Sequence, residues 1–496
     1  MTNQQSSYRQ IFKATSLFGG VQVFSIIINI IRSKFIAILL GPLGMGIYGL
    51  LTTTTSLIGG LTNFGLGISA VKDVATANSS GNETRIATVV TVIKRLVWVT
   101  GTLGAVVMLV LSQWLSQLTF GNYDYTLAFI WISITLLFNQ LSTGQLVVLQ
   151  GMRKLHYLAK ASLLGSALGL IITIPLYYRF GIDGIVPSII IASLISLLLS
   201  WYFAKKVKIN AIKVSRVRTI VESKKMLFLG FMISLSGLIS LGASSVLRIY
   251  ISNIGGVEQV GLYTAGFAII NGYVGLIFTA MATDYYPRLS GVANSNILCK
   301  QTINQQAEIA MLLLAPIILI FITFINWVII LLYSKQFITI NDMIYWAALG
   351  MFFKAASWSI AYILLAKGAS KLFFWNELIG NMYGLGLNIL GYYFMGLTGL
   401  GISFMLGYLL YLIQVFILSK IKYQFSFNLA FLRIFVVQFL LAISCFFVIK
   451  LFGGISSYVI GMGLILISAW YSYNELDKRL GLKEIFLSFK NKTFKK

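Results

Sequence analysis

Four basic residues sit where a chain of this composition has least use for a charge. Arg32, Lys34, Arg248 and Lys354 each fall inside a long apolar run, away from its polar flanks. A cation at the centre of a membrane-spanning helix costs about 2.5–3.5 kcal/mol on insertion scales, so it ordinarily faces a cavity or a partner. The first run, Gln22 to Gly46, places Gln22, Ser25, Asn29 and Arg32 on one helical stripe. Lys34 is off that stripe, because two positions turn the helix by about 200°. Gly237 and Ser244 share a stripe with Arg248, and Gly350 and Ser357 flank Lys354 at helical spacing. Of the 13 acids nearly all lie in loops or at the ends of apolar runs; Glu377 alone lies within one, about two turns from its end. Cations set in an apolar interior without matching carboxylates attract anions, and the fork of Arg and the point charge of Lys suit phosphate oxygens. Two plainer readings compete: the cations snorkel to the nearer water face, or backbone carbonyls and water compensate them.

The elements that must hold these residues are helices in a bilayer. The chain has 496 residues, of which 58% are hydrophobic and 10% charged, with a mean hydropathy of +0.87. Soluble domains carry about 25% charged residues. Apolar stretches of membrane-spanning length recur with short breaks, at 14–40, 45–71, 88–111, 124–150, 156–178, 183–204, 226–252, 258–283, 308–333, 340–366, 371–393, 398–419, 430–449 and 455–473. This predicts an all-α polytopic membrane protein of about 14 transmembrane helices, because helices satisfy their backbone groups internally in lipid. Alternate loops hold most of the 38 basic residues: Lys72, Arg85, Lys94 and Arg95, then Arg153, Lys154 and Lys160, then the loop from Lys205 to Lys225, then a tail running to Lys496. The opposite loops hold Arg179, Lys335 and Lys450. That asymmetry puts both termini in the cytoplasm. It also accounts for the net charge of +25 without a nucleic-acid partner.

The usual chemistries find little to work with. One His and two Cys, Cys299 and Cys445, leave no disulfide framework and no Cys/His metal cluster. His156 stands in a basic loop and reads as solvated. Gly44-Met45-Gly46-Ile47-Tyr48-Gly49 satisfies the dinucleotide fingerprint, but it follows an apolar helix and lacks the βαβ context. No phosphate-binding GxxxxGK[ST] loop is present and no cleavable signal peptide is expected. The expectation is no catalytic residue, no metal and no cofactor.

The chain repeats itself. Gly46-Ile47-Tyr48 matches Gly261-Leu262-Tyr263, and Tyr177-Tyr178-Arg179-Phe180-Gly181-Ile182-Asp183-Gly184 matches Tyr392-Tyr393-Phe394-Met395-Gly396-Leu397-Thr398-Gly399, both at an offset of 215. The expected organisation is an N-terminal six-helix bundle over 1–204, a basic cytoplasmic loop over 205–225 and a C-terminal six-helix bundle over 226–419. Two extra helices and a basic tail follow over 420–496. Two parallel repeats with a site between them is a transporter architecture, operating by alternating access. Arg248 lies within one residue of the repeat position of Lys34. This favours a cavity over independent snorkelling.

Here the chain resembles a known family, the O-antigen and polysaccharide lipid flippases of the multidrug/oligosaccharidyl-lipid/polysaccharide exporter superfamily. The resemblance rests on Arg32-Ser33-Lys34-Phe35-Ile36-Ala37 followed by Leu40-Gly41-Pro42-Leu43-Gly44-Met45-Gly46. It continues in Lys335-Gln336-Phe337 leading through Trp346 and Lys354 to Ala366-Lys367, which is similar to the O-antigen translocase branch. The resemblance implies a flippase of the bacterial inner membrane that moves an undecaprenyl-pyrophosphate-linked oligosaccharide from the cytoplasmic to the periplasmic leaflet. It implies a cationic central cavity in which Lys34, Arg248 and Lys354 match cavity-facing basic positions. Arg32 is supported by the motif and by the polar stripe. The implied partners are the lipid-linked oligosaccharide, membrane lipids, and polysaccharide polymerase or assembly proteins, with no nucleic acid. The alternatives are a cation-coupled multidrug exporter of the same fold and a membrane polysaccharide polymerase or ligase. A regular helix cannot aim Arg32 and Lys34 at one point, so either it breaks near Ser33 or one of the two is a gate or an anchor.

Overall fold

The computed structural model of the chain describes residues 3–207, 209, 212–452 and 454–480. Among them the regular structure is entirely helical. The first part of the chain forms α1 (Asn3–Thr62), α2 (Leu66–Ser79), α3 (Glu83–Val110), α4 (Ser112–Phe120), α5 (Thr126–Gly151), α6 (Leu155–Phe180), α7 (Ile185–Lys205) and α8 (Arg216–Gly255). The rest forms α9 (Val257–Phe267), α10 (Leu276–Gly291), α11 (Asn296–Leu332), α12 (Asn341–Ala366), α13 (Ser370–Tyr423), α14 (Leu429–Leu451) and α15 (Ile455–Leu480). A π-helix, Ala268–Val274, joins α9 to α10. Among the described residues, 10 helical segments are long and apolar enough to cross a membrane. Three of them, Ile27–Thr62, Leu155–Lys205 and Ser370–Tyr423, contain a glycine whose backbone interrupts the helix. The protein is therefore a multi-pass, all-α membrane protein.

Two stretches differ from a regular span. The run expected at 45–71 stops at Thr62 and resumes at Leu66, because Asn63 Oδ1 accepts the Gly65 N–H at 2.8 Å and Phe64 and Gly65 both take positive φ. The run expected at 258–283 contains the π-helix, a widening to which hydrophobic periodicity is blind.

The sequence repeat recurs in the backbone. Gly181 (φ 55, ψ −130) and Gly396 (φ 57, ψ −138) break their helices with nearly the same torsions, 215 positions apart. Gly41 (φ 64, ψ −167) and Gly256 (φ 86, ψ 167) form a second pair at the same offset. These torsions are open essentially to glycine alone, since a Cβ would collide with the neighbouring peptide.

The chain packs as two compact units, residues 1–261 and 262–496. Division by packing and division by repeat part company at α8, which the repeat assigns to the second half and packing to the first unit. The reason is local. Leu66, Val74, Ile93 and Val147 of α2, α3 and α5 share one buried cluster with Val214 and Met226 at the start of α8. Arg85 of α3 grips both oxygens of Glu222, and Arg95 Nη1 donates to the Val214 carbonyl at 2.9 Å and to Thr219 Oγ1 at 2.6 Å. Ser215 caps α8 by accepting the Arg218 N–H.

In the second unit Tyr285, Cys299, Ile360, Leu364 and Val415 anchor the packing of α10, α11, α12 and α13. The last two helices are fastened to α11. Glu308 accepts from Arg479 Nε at 2.7 Å and from Asn428 Nδ2 at 2.8 Å, and Gln438 Nε2 donates to Ser472 Oγ at 2.8 Å. The basic tail from Lys483 to Lys496, and Lys208 within the central loop, lie outside the described residues.

Candidate functional site

Each of the four cations expected from sequence lies on a long helix, and each has different surroundings. Arg32 and Lys34 are both half-buried on α1, ahead of its break at Gly41. The helix stays regular through Ser33, so the two side chains leave it in different directions. Ser25 of the polar stripe is half-buried and Asn29 is exposed, while the side chain of Gln22 lies outside the described residues.

Arg32 lines a cavity of about 360 Å³ inside the first unit, between α1, α5, α6 and α7. Its walls are mostly hydroxyls: Tyr48 and Thr52 from α1, Ser166 and Thr173 from α6, Ser193 and Ser196 from α7. Arg32 is the one charged side chain among the described lining residues. Its Nε is buried without a hydrogen-bond partner, and Nη2 lies 3.6 Å from where a Cβ on Gly169 would stand. The guanidinium thus lies against the α6 surface at van der Waals distance. Neither Lys34 nor Arg248 lines this cavity.

Arg248 is half-buried on α8, with Nη1 donating to Ser244 Oγ at 2.5 Å, one turn back on the stripe that the sequence marks. Lys354 is held on α12 in the second unit. Its Nζ donates to Asn271 Oδ1 at 2.7 Å and faces the rings of Tyr408, Phe404 and Phe278 at 5.2, 5.7 and 6.0 Å. Aromatic faces stabilise a desolvated ammonium through their quadrupole. The amide that fixes the ammonium projects from the π-helix, where an extra residue per turn redirects the side chains. Among the described residues no ion pair involves Arg32, Lys34 or Lys354.

Among the described residues Glu377 is held by hydrogen bonds alone. Tyr411 Oη donates to its Oε1 at 2.5 Å and accepts from Asn376 Nδ2 at 3.0 Å, and Gln414 Nε2 donates to Asn376 Oδ1 at 2.9 Å. At the repeat offset of 215, Glu377 falls on Ser162, Tyr408 on Ser193 and Tyr411 on Ser196, all three of which line the Arg32 cavity. The same helix pair is thus an open hydroxyl-lined space in the first unit and a carboxylate–tyrosine network in the second. Among the described residues no cluster of His, Cys, Asp and Glu is placed to hold a metal ion.

A family model described as polysaccharide biosynthesis protein matches residues 35–342. The chain belongs to that family. Arg248 falls inside the matched span, Arg32 and Lys34 lie just before it and Lys354 just beyond it. A Shigella flexneri protein, described as a proposed O-antigen transporter, is 27% identical over 350 residues, which is 68% of this chain and 80% of that protein. Among solved structures the fold is similar to the lipid II flippase MurJ in an inward closed conformation, with a TM-score of 0.73 and 14% identity over 94% of this chain and 99% of that one. It is also similar to an inward-facing multidrug resistance MATE family transporter of the MOP superfamily, with a TM-score of 0.69 and 15% identity over 81% of this chain and 94% of that one. The chain's fold is thus similar to that of these two solved membrane transporters.

Proposed function

We propose that the protein is a flippase that carries an undecaprenyl-pyrophosphate-linked oligosaccharide, an O-antigen or related repeat unit, from the cytoplasmic to the periplasmic leaflet of the bacterial inner membrane. The observation that carries this reading is the membership of a polysaccharide-biosynthesis family by a chain whose apolar helices hold Arg32, Lys34 and Lys354, none of them in an ion pair among the described residues. Arg32, Lys34, Arg248 and Lys354 receive the pyrophosphate-sugar headgroup, and the polyprenyl tail stays in the bilayer. Guanidinium and ammonium groups in a poorly solvated site replace the water that the headgroup leaves behind. Translocation proceeds by alternating access, with no covalent step performed by the protein. Polymerase and assembly proteins take the product on the far side.

A deletion strain should accumulate the lipid-linked repeat in the inner leaflet and lose surface polysaccharide. Complementation with Arg248→Ala or Lys354→Ala, expressed at the normal level, should leave that loss in place. Full restoration by both variants would overturn the assignment of these residues.

The similarity to a MATE fold keeps a second reading in view, a cation-coupled drug exporter. Such a protein needs carboxylates deep in its spans to take up the coupling ion. The first half has none deep within its expected spans. Export of cationic dyes by the deletion strain and its complemented parent separates the two readings.

A further inference from the structure

The cavity around Arg32 is a different chemical environment from a pyrophosphate site, and the difference lies in where its protons go. Thr52 Oγ1 donates to the Tyr48 carbonyl at 2.6 Å and Thr173 Oγ1 to the Gly169 carbonyl at 2.6 Å. Ser193 and Ser200 likewise donate to the carbonyls of Ile190 and Leu197, at 2.7 and 2.9 Å. A carbonyl only accepts, so each of these hydroxyls has spent its one proton and turns lone pairs to the cavity. Such a wall welcomes a ligand rich in O–H donors. These four oxygens give no hydrogen bond to phosphate oxygens, which can only accept. Among them stands Arg32, whose guanidinium is bound by no hydrogen bond or ion pair among the described residues and whose Nε is buried without a partner. The Asn139 amide and the Tyr48, Ser162 and Ser166 hydroxyls also line the space, so the wall both donates and accepts, as a polyol requires, and Arg32 adds its one positive charge among the described lining residues. The volume of about 360 Å³ lies within the range of small-molecule sites, which is about 300–1,000 Å³.

We infer that this cavity is a sugar-recognition subsite for a glycosyl unit bearing one carboxylate, its hydroxyls donating to the serine and threonine oxygens and its carboxylate paired with Arg32. The inference rests on the flippase reading and deepens it. Arg32 reads an acidic sugar of the repeat unit, while Lys34, Arg248 and Lys354 are left for the pyrophosphate.

The test is made on the purified full-length protein in lipid nanodiscs carrying Ser166→Cys. Cys299 and Cys445 are both buried, so the parent chain serves as the unlabelled blank. A water-soluble methanethiosulfonate reagent should modify position 166, and free glucuronate should slow the reaction. Glucose should protect about tenfold more weakly, the cost of losing a charge-assisted hydrogen bond. Inorganic phosphate, which leaves the accepting hydroxyls unmatched, should protect less than glucuronate. Adding Arg32→Gln should bring glucuronate down to the level of glucose while glucose protection persists, which a collapsed cavity would not allow.

The inference is overturned if phosphate protects as well as glucuronate, if glucose and glucuronate are equal in the Arg32 protein, or if no sugar protects. It is also overturned if neither Ser166→Cys nor Ser162→Cys is modified in protein that elutes as the parent does. Sugar binding in nanodiscs does not require translocation, so failure here leaves the flippase reading standing. Absence of inner-leaflet accumulation in the deletion strain removes that reading without touching the sugar measurement.

Discussion

Gly46 and Gly261 make the same contact from opposite sides. A Cβ built on Gly46 would overlap the carbonyl oxygen of Val257, and one built on Gly261 would overlap the carbonyl oxygen of Pro42. Pro42 and Val257 are themselves 215 positions apart, as are the two glycines. The α1 segment after Gly41 and the α9 segment after Gly256 therefore cross as symmetry mates, each helix laying its bare α-carbon on the other's backbone. Alanine at either position must push the helices apart, and strain of this kind costs about 1–3 kcal/mol. Gly46→Ala and Gly261→Ala should lower the thermal midpoint of the purified protein by similar amounts. Gly242→Ala, where nothing lies within 4 Å of the new methyl, should leave it unchanged. Unequal effects of the first two substitutions would show that the pairing does not share the load.

Lys354 depends on Asn271 for its position, and a neutral amide leaves the ammonium its full charge. Asn271→Asp would keep the geometry and add a neutralising carboxylate at hydrogen-bond distance. That variant should lose surface polysaccharide as completely as Lys354→Gln, although the lysine is still present. Asn271→Ala should retain part of the function, because the rings of Tyr408, Phe404 and Phe278 still face the ammonium. Quantifying polysaccharide at matched expression decides it, and wild-type output from Asn271→Asp would remove Lys354 from headgroup binding.

How much of this was legible beforehand differs from residue to residue. The helices were readable because lipid forces backbone polar groups to pair within each segment, so apolar runs of the right length become helices. The repeat read from Gly181 and Gly396 proved to be a repeat of backbone torsion, since glycine there answers a conformational demand that no other residue meets easily. The Ser244–Arg248 bond follows from spacing on one helix. What spacing could not supply is anything that joins distant segments. The Tyr411–Glu377 bond, the ring faces around Lys354 and the Arg85–Glu222 pair are tertiary facts without a local signature. Nor could periodicity distinguish the π-helix under Asn271 from an ordinary turn. The serine wall opposite Arg32 was spread over α6 and α7 and reads in sequence as ordinary small residues of a membrane helix.

The Glu377–Tyr411 bond ties the two arms of α13 on either side of Gly396. Tyr411→Phe removes the donor and leaves a half-buried carboxylate oxygen unsatisfied, at a cost of about 1–3 kcal/mol. Glu377→Gln keeps an acceptor for the same hydroxyl and should be nearly neutral. The thermal midpoint should therefore fall for Tyr411→Phe and hold for Glu377→Gln. Surface polysaccharide should follow stability in both. If Glu377→Gln is stable yet inactive, the carboxylate carries a charge-dependent role and the network is more than a clasp.

Arg85 and Glu222 clasp the start of α8 to α3 with two parallel hydrogen bonds. The pair is partly exposed, with side-chain accessibilities of 36% and 22%, so screening by water limits its worth to about 1 kcal/mol or less. Arg85→Ala and Glu222→Ala should each destabilise slightly, with the double variant little worse than either single. The bond matters more for the loop from 205 to 225 than for the bundle, because it pins α8 where the chain leaves that loop. Limited trypsin digestion reads this directly. Each single variant should be cut faster at Arg216, Arg218 or Lys224 than the parent, and the exchanged pair, Arg85→Glu with Glu222→Arg, should recover part of the protection. Equal cleavage rates in all four proteins would mean that the buried contacts of Val214 and Met226 hold α8 without the clasp.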